Sequence, residues 1–298
     1  MVVSKKAIWA SIAFVIVGAT TSAQELTRIE RPSNAPATAK ELVQEIRARG
    51  AGRLGRISPN VISSETSDSG FIIPAAGNLA GANGTFFRSD LSLANLRGVD
   101  QRIGISFLQS GTDNSSAPVL YFNLPANSVV SYGDFVGQQM KTSGLGGLLV
   151  GAVTATGAGD ENGLINGFSR IWTPQPGSVN GTVSQSFPAV SVFDSFGPSV
   201  AYALGLRQDA NFRTNAGVVN LDSASHTFTV QALTGVKTTV TVLPFSLAQV
   251  GIPAGSANSG GYVTLLISPN DTAGFLWSAY GTTVDNTTGD GWVSRATQ

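Results

Sequence analysis

The chain has 298 residues, 12% of them charged, and a formal net charge of zero. That length suits two ordinary domains, and the absence of a basic surplus argues against nucleic-acid binding. With no Cys and a single His, disulfides, thiol catalysis, a lipidated cysteine and a classical zinc site all fall away.

The chain opens with Lys5 and Lys6, an apolar run over 7–19 and small residues Thr21-Ser22-Ala23. This pattern predicts an export signal over 1–23, cleaved after Ala23. No later run is long and apolar enough for a membrane helix. The expected location is therefore secreted, cell-surface or periplasmic, and an exported chain without Cys suits a bacterial source. Residues 24–69 form the next segment. A helix is expected over 37–49, with Thr38 as cap, Glu41 three residues on, and Leu42, Val43 and Ile46 on one side. Gly50 and Gly52 should stop it, and a polar linker should follow to Ser69. The composition favours a spacer; the alternative is a helix docked on the first sandwich or on a partner.

From Gly70 onward the pattern is all-β. A short edge strand is expected at Phe71-Ile72-Ile73-Pro74, limited by Pro74, then a loose loop around Gly77, Gly81 and Gly84. Strands follow over 87–96, 103–108, 119–124 and 128–131. Ser131-Tyr132-Gly133-Asp134 has the spacing of a capped helix start, for a short helix reaching Met140. Strands over 148–156 and 164–173 flank a loop with Asp160, Glu161 and Asn162. In the second part, strands are expected over 200–206, 212–221, 227–233 and 238–244, and further strands should close the chain. Between the parts, 187–198 is a short apolar joint with Val190, Val192, Phe193 and Phe196, which favours domains packed together.

The strongest signal is a duplication. Phe87-Arg88-Ser89-Asp90 leads to Asn95-Leu96, and Phe212-Arg213-Thr214-Asn215 leads to Asn220-Leu221. Gly167-Phe168 is likewise echoed by Gly274-Phe275, with both rings expected in the core. A unit of about 100 residues with alternating strands and Gly/Asn turns predicts two tandem immunoglobulin-like β-sandwich repeats packed together, over 70–190 and 191–298. The repeated Phe-Arg-[Ser/Thr]-[Asp/Asn] strand resembles one in exported bacterial proteins with tandem sandwich units, which are similar to bacterial cell-adhesion-type modules. That resemblance implies surface display, adhesion or substrate attachment, and it carries no catalytic residues.

The residues themselves offer few chemistries. Arg88 and Arg213 are expected to fix a nearby carbonyl or the Asp90/Asn215 region, and Asn95 and Asn220 to serve turns. His226 enters a strand beside Ser225 and Thr227, with no Gly-x-Ser-x-Gly elbow, so a surface or hydrogen-bonded role is expected. Calcium is the one candidate cofactor, through the oxygen-rich loops of Asp160-Glu161 and of Asp285 and Asp290; solvated turns are the plainer reading. Trp172, Trp277, Tyr280 and Trp292 lie in closing strands and could stack on sugars if at least two shared an exposed face; core packing is the plainer reading. The leading expectation is an exported non-catalytic interaction or structural protein for surface attachment, with a protein or polysaccharide partner. A carbohydrate-binding protein is the alternative. A hydrolase would need two converging Asp or Glu side chains. An outer-membrane barrel is a minor option, since the chain ends without a terminal aromatic.

Overall fold

The structure is a computed structural model that describes residues 26–54, 70–153, 165–178, 180–192, 194–197, 199–272 and 274–298. The export signal, the linker over 55–69, Phe193 and the loop carrying Asp160 and Glu161 lie outside the described residues. Among the described residues, no helix is long and apolar enough to cross a membrane.

Among the described residues the chain is all-β apart from two α-helices and one 3-10 turn over Ala82–Gly84. Along the chain come β1 (Thr27–Ile29), α1 (Ala39–Leu54), β2 (Gly70–Ala80), β3 (Phe86–Asn95), β4 (Gln101–Gln109), β5 (Leu120–Leu124) and β6 (Ser128–Tyr132). The one-turn helix α2 (Phe135–Gln138) follows, then β7 (Gly144–Val153), β8 (Ile165–Pro174), β9 (Thr182–Pro188) and β10 (Val190–Ser191). The second half holds β11 (Ala201–Arg207), β12 (Phe212–Asn220), β13 (His226–Ala232), β14 (Lys237–Val242), β15 (Ser246–Gly251), β16 (Tyr262–Pro269), β17 (Trp277–Asp285) and β18 (Gly291–Arg295).

All the pairings are antiparallel, and the two halves share one strand order. In the first half β5-β4-β7-β2 makes one layer and β6-β3-β8-β9 the other, with β2 joined to β3 at Leu79↔Phe87. In the second half the layers are β14-β13-β16-β11 and β15-β12-β17-β18. The ladders fix which residues correspond. Ser92 faces Phe168 and Gly217 faces Tyr280, each three residues before the repeated Asn. Ala94 faces Val129 and Val219 faces Leu247. Period-two alternation drives the layers together: Leu91 and Leu93 of β3, and Phe228 and Val230 of β13, point inward while Ser92 and Thr229 face out.

Several expectations are corrected. Pro74 does not confine its strand to an edge. β2 runs 11 residues between β7 and β3, and the register shifts between Ile73 and Ala76, so the proline sits in a bulge where no ladder N–H is required. Gly77 is inside that strand. The helix after Asp134 is a single turn, and Asp134 stands at its start with φ 48° and makes no side-chain cap bond. The apolar joint carries a short strand, β10, that pairs back onto β2.

The N-terminal segment is docked, as the alternative reading held. Thr38 Oγ accepts the Glu41 N–H and Glu41 accepts the Ala37 N–H, a capping box displaced by one residue, and the helix runs through Gly50 and Gly52 to Leu54. Leu42, Val43 and Ile46 are buried. They fit because Gly70 and Gly151 lie beneath: a Cβ at Gly70 would overlap Ile46, and one at Gly151 would overlap Leu42 and crowd Ile46. β1 pairs with β5, and the Tyr121 and Tyr132 hydroxyls donate to the Pro36 and Leu26 carbonyls.

The core of the first half extends into the second, which also has a core of its own. Val219, Leu221, Phe245, Leu247 and Tyr280 belong to the apolar cluster of the first half, while Phe228, Leu265 and Trp277 centre a second cluster. At the junction Phe187 meets Tyr280 edge-on at 5.1 Å, Asn114 Nδ2 donates to the Phe245 carbonyl at 2.8 Å, and Ser246 donates to the Gln109 carbonyl at 3.0 Å.

Candidate functional site

The duplicated motif holds the fold. Asn95 is fully buried, and its amide donates to the carbonyls of Val99, Leu124 and Pro125 at 2.9–3.1 Å, while its oxygen accepts from Arg97 N–H and Gln101. Asn220 repeats the pattern on Ala224, Val242 and Leu243, and accepts from the Asp222 N–H. One side chain thus supplies partners for two turns at once. The hydroxyl of the motif also recurs: Ser89 bonds the backbone of Gly77 on β2, and Thr214 donates to the Arg207 carbonyl on β11. These bonds bridge the two layers. Phe87 and Phe212 are half-buried at the strand starts.

The repeated arginines do not repeat their contacts. Arg213 donates to Asn286 at 2.7 Å, whereas Arg88 lies 4.0 Å from Asp134 and 5.1 Å above the Phe86 ring. Asp90 is 3.9 Å from Arg170 and accepts the Asp134 N–H, so it is not the partner of Arg88. Asn215 sits in the middle of the β12 ladder, between Gly251 and Thr282.

The aromatics named from sequence do not form one surface. Trp277 and Tyr280 are buried and present no face to a sugar. Trp277 packs on Phe196 and Phe228, with its indole N–H on the Gly197 carbonyl at 2.7 Å. Tyr280 is at the junction of the halves, and burial pushes its hydroxyl well above the ordinary tyrosine range. Trp172 is half-buried beneath Arg170. Trp292 is exposed, edge-on to Phe212, with its N–H on the Gly205 carbonyl. Phe168, expected in the core, is exposed, while Phe275 is buried, and the ladders align Phe168 with Tyr280 rather than with Phe275 as the Gly-Phe echo suggested.

The Asp285–Asp290 turn is held by its own backbone. Asp285 accepts the N–H groups of Thr287 and Thr288, which hold its carboxyl below the usual range, and Asp290 accepts the Ser184 N–H at 3.2 Å. Among the described residues, no group of three or more His, Asp or Glu side chains converges as a metal set.

His226 is buried and hydrogen-bonded, the second of its two expected roles, but the clamp between two carboxylates was not read from the sequence. Nδ1 is 2.7 Å from Asp271 and Nε2 is 2.9 Å from Asp222, and the ring stacks on Phe275 at 3.5 Å. Burial pushes the Asp222 carboxyl up, but bonds from His226 and from the Ser223 and Ala224 backbone outweigh it, and the net shift is downward. Only the four-residue spacing from Asp222 to His226 could have hinted at this, since Asp271 is 45 residues away.

A shallow concavity with charged walls lies beside α2. It is an open groove of about 700 Å³ lined by Asn78, Phe86, Arg88, Asp134, Lys141 and Thr142, among others. Asn78 donates to Asp134 at 2.6 Å and so fixes one acid oxygen. Asp134 and Lys141 both adopt positive φ, 48° and 53°, and Lys is seldom found there. The second half closes the same place differently. Gln208, which corresponds to Asn78, donates to the Ile252 and Pro253 carbonyls, and buried Ile252 stands where Asp134 is.

No protein-family model, curated protein or solved structure matches the chain.

Proposed function

We propose that the protein is an exported, non-catalytic attachment protein of two tandem immunoglobulin-like sandwiches, over 70–190 and 191–298, that takes a polysaccharide in the α2 groove of the first. The immunoglobulin-like reading is supported by the interlocked pairing: counted from β2 and from β11, the second and fifth strands pair in one layer and the third and sixth in the other. Export rests on the signal pattern over 1–23. The non-catalytic reading is supported by His226, whose two ring nitrogens are both engaged by carboxylates.

The observation that carries the ligand site is a divergence. Two halves with one strand order and one asparagine latch differ at this groove, where the first gathers Arg88, Lys141, Asp134, Asn78 and an exposed Phe86 ring. A flat ring beside amide, hydroxyl and charged groups suits a polyhydroxylated sugar. The test is a pull-down of the protein on insoluble polysaccharides, neutral and acidic. Lys141→Gly removes the ammonium and relaxes the positive φ, so the variant should fold at least as well and bind more than about tenfold more weakly. Equal binding by Lys141→Gly would remove the groove from the account. No binding to any polysaccharide would leave a protein partner.

A further inference from the structure

The contact between the halves is a junction of unlike surfaces. The second half offers the outer face of its β15-β12-β17-β18 layer. The first half receives it at the end of β4 and the start of β7, beside β9. Such a heterologous contact leaves the first half's offering face, and the second half's receiving end, without their counterparts.

Both leftover surfaces are exposed and apolar in this chain. On the offering side, Tyr280 and Leu247 are buried at 1% and 0% exposure, while the corresponding Phe168 and Val129 of the first half stand at 43% and 70%. Leu221 is buried and the corresponding Leu96 is exposed. On the receiving side, Leu108 is fully buried in the first half, whereas Leu233, also 13 residues after the repeated Asn, is 70% exposed. Leu145 faces Gly77, the residue tied to Ser89, and packs on the shared core. Its counterpart Tyr262 faces Arg207, the residue tied to Thr214, and is open to solvent. Trp292 occupies the position of Gln185, which in the first half donates to Thr283 across the junction.

We infer that copies of this chain stack head to tail, the face of Leu96, Val129 and Phe168 on one copy seating on the end formed by Leu233, Tyr262 and Trp292 on the next. The partner is a second copy because a contact of this kind already exists within each chain and apolar residues equivalent to parts of both its faces are left exposed on the surface. Repeating it without a closing rotation gives an open filament. Three departures weaken the contact between copies. On the receiving end Ser294 stands at the position of Phe187, and the short turn over 233–236 replaces the connection over 110–119 whose Gly111 and Asn114 bond the second half. The second half inserts Phe245, held at φ 45° and buried, into the junction, and the corresponding position of the first half is exposed Asn127 at φ 47°. Asn tolerates that backbone and Phe does not, so the side chain of Phe245 is kept there for the packing it supplies. The inference is independent of any ligand in the α2 groove, which lies at the opposite end of β3 from Leu96.

The test is sedimentation equilibrium and negative-stain imaging of the purified protein over rising concentration. The expected result is an open-ended series of oligomers. Phe168→Asp and Tyr262→Asp alter exposed side chains, so each should keep its melting temperature and weaken self-association by more than about tenfold. Mixing the two variants leaves one intact offering face and one intact receiving end, and should restore a one-to-one dimer that grows no further. Asn127→Phe should lengthen the oligomers. A protein that stays monomeric with and without Asn127→Phe overturns the inference, as does a closed dimer that both Asp variants leave intact.

Discussion

The two halves are built alike and covered differently, and this contrast separates what a residue does for the fold from what it does for the surface. Asn95 and Asn220 have the same three kinds of carbonyl partner, and Ser89 and Thr214 bridge the same pair of strands. Those jobs depend only on the strand order, so the residues stay alike. Arg88 and Arg213 sit in the same register and have unlike partners, because their neighbours come from connections that differ. Recurrence marks the scaffold, and divergence marks the groove.

The largest effect should come from breaking the shared latch. Asn95→Ala or Asn220→Ala leaves several buried carbonyls without a donor and should cost about 3 kcal/mol or more in either half, read by urea denaturation. A loss confined to one half would break the equivalence. Gly217→Ala is next. A Cβ there overlaps the Tyr280 ring, so the junction should lose about 1–3 kcal/mol. Ser92, at the same place in the first half, shows that the open face takes a side chain freely.

Lys141→Gly should act in the other direction and raise stability by about 0.4–1 kcal/mol by relieving its positive φ. Its melting temperature checks this apart from any ligand. The smallest effect concerns the His226 clamp, which the first half lacks because Gln101 occupies that position and bonds Asn95 instead. Asp222 has its carboxyl lowered in the fold, so its stabilising contribution is present above the unfolded carboxylate range and is lost as pH falls below about 4 through the folded value. Asp222→Asn should therefore flatten the acid limb of the stability curve. An unchanged limb would show that the clamp is not coupled to folding.

The scaffold was legible in the sequence and the surfaces were not. The Phe-Arg motif and its terminal Asn announced the duplication because a buried amide with several partners has no substitute. Pro74 misled because a bulge cannot be seen in a pattern. Phe168 and Tyr280 share a ladder position, and alternation treats them alike. One is exposed and the other buried only because the second half packs on the first. The α2 groove was hidden for a similar reason: Asn78 and Arg88 come from two strands and Lys141 from a connection, and their spacing in the chain has no period.

The central claim is that equivalent faces of the two halves are buried in one case and open in the other. Its most direct test is the pair Tyr280→Ala and Phe168→Ala, measured by urea denaturation at a protein concentration low enough to keep the chain monomeric. Tyr280→Ala should cost about 3 kcal/mol or more, and Phe168→Ala less than about 0.5 kcal/mol. Equal costs at the two positions would contradict the account.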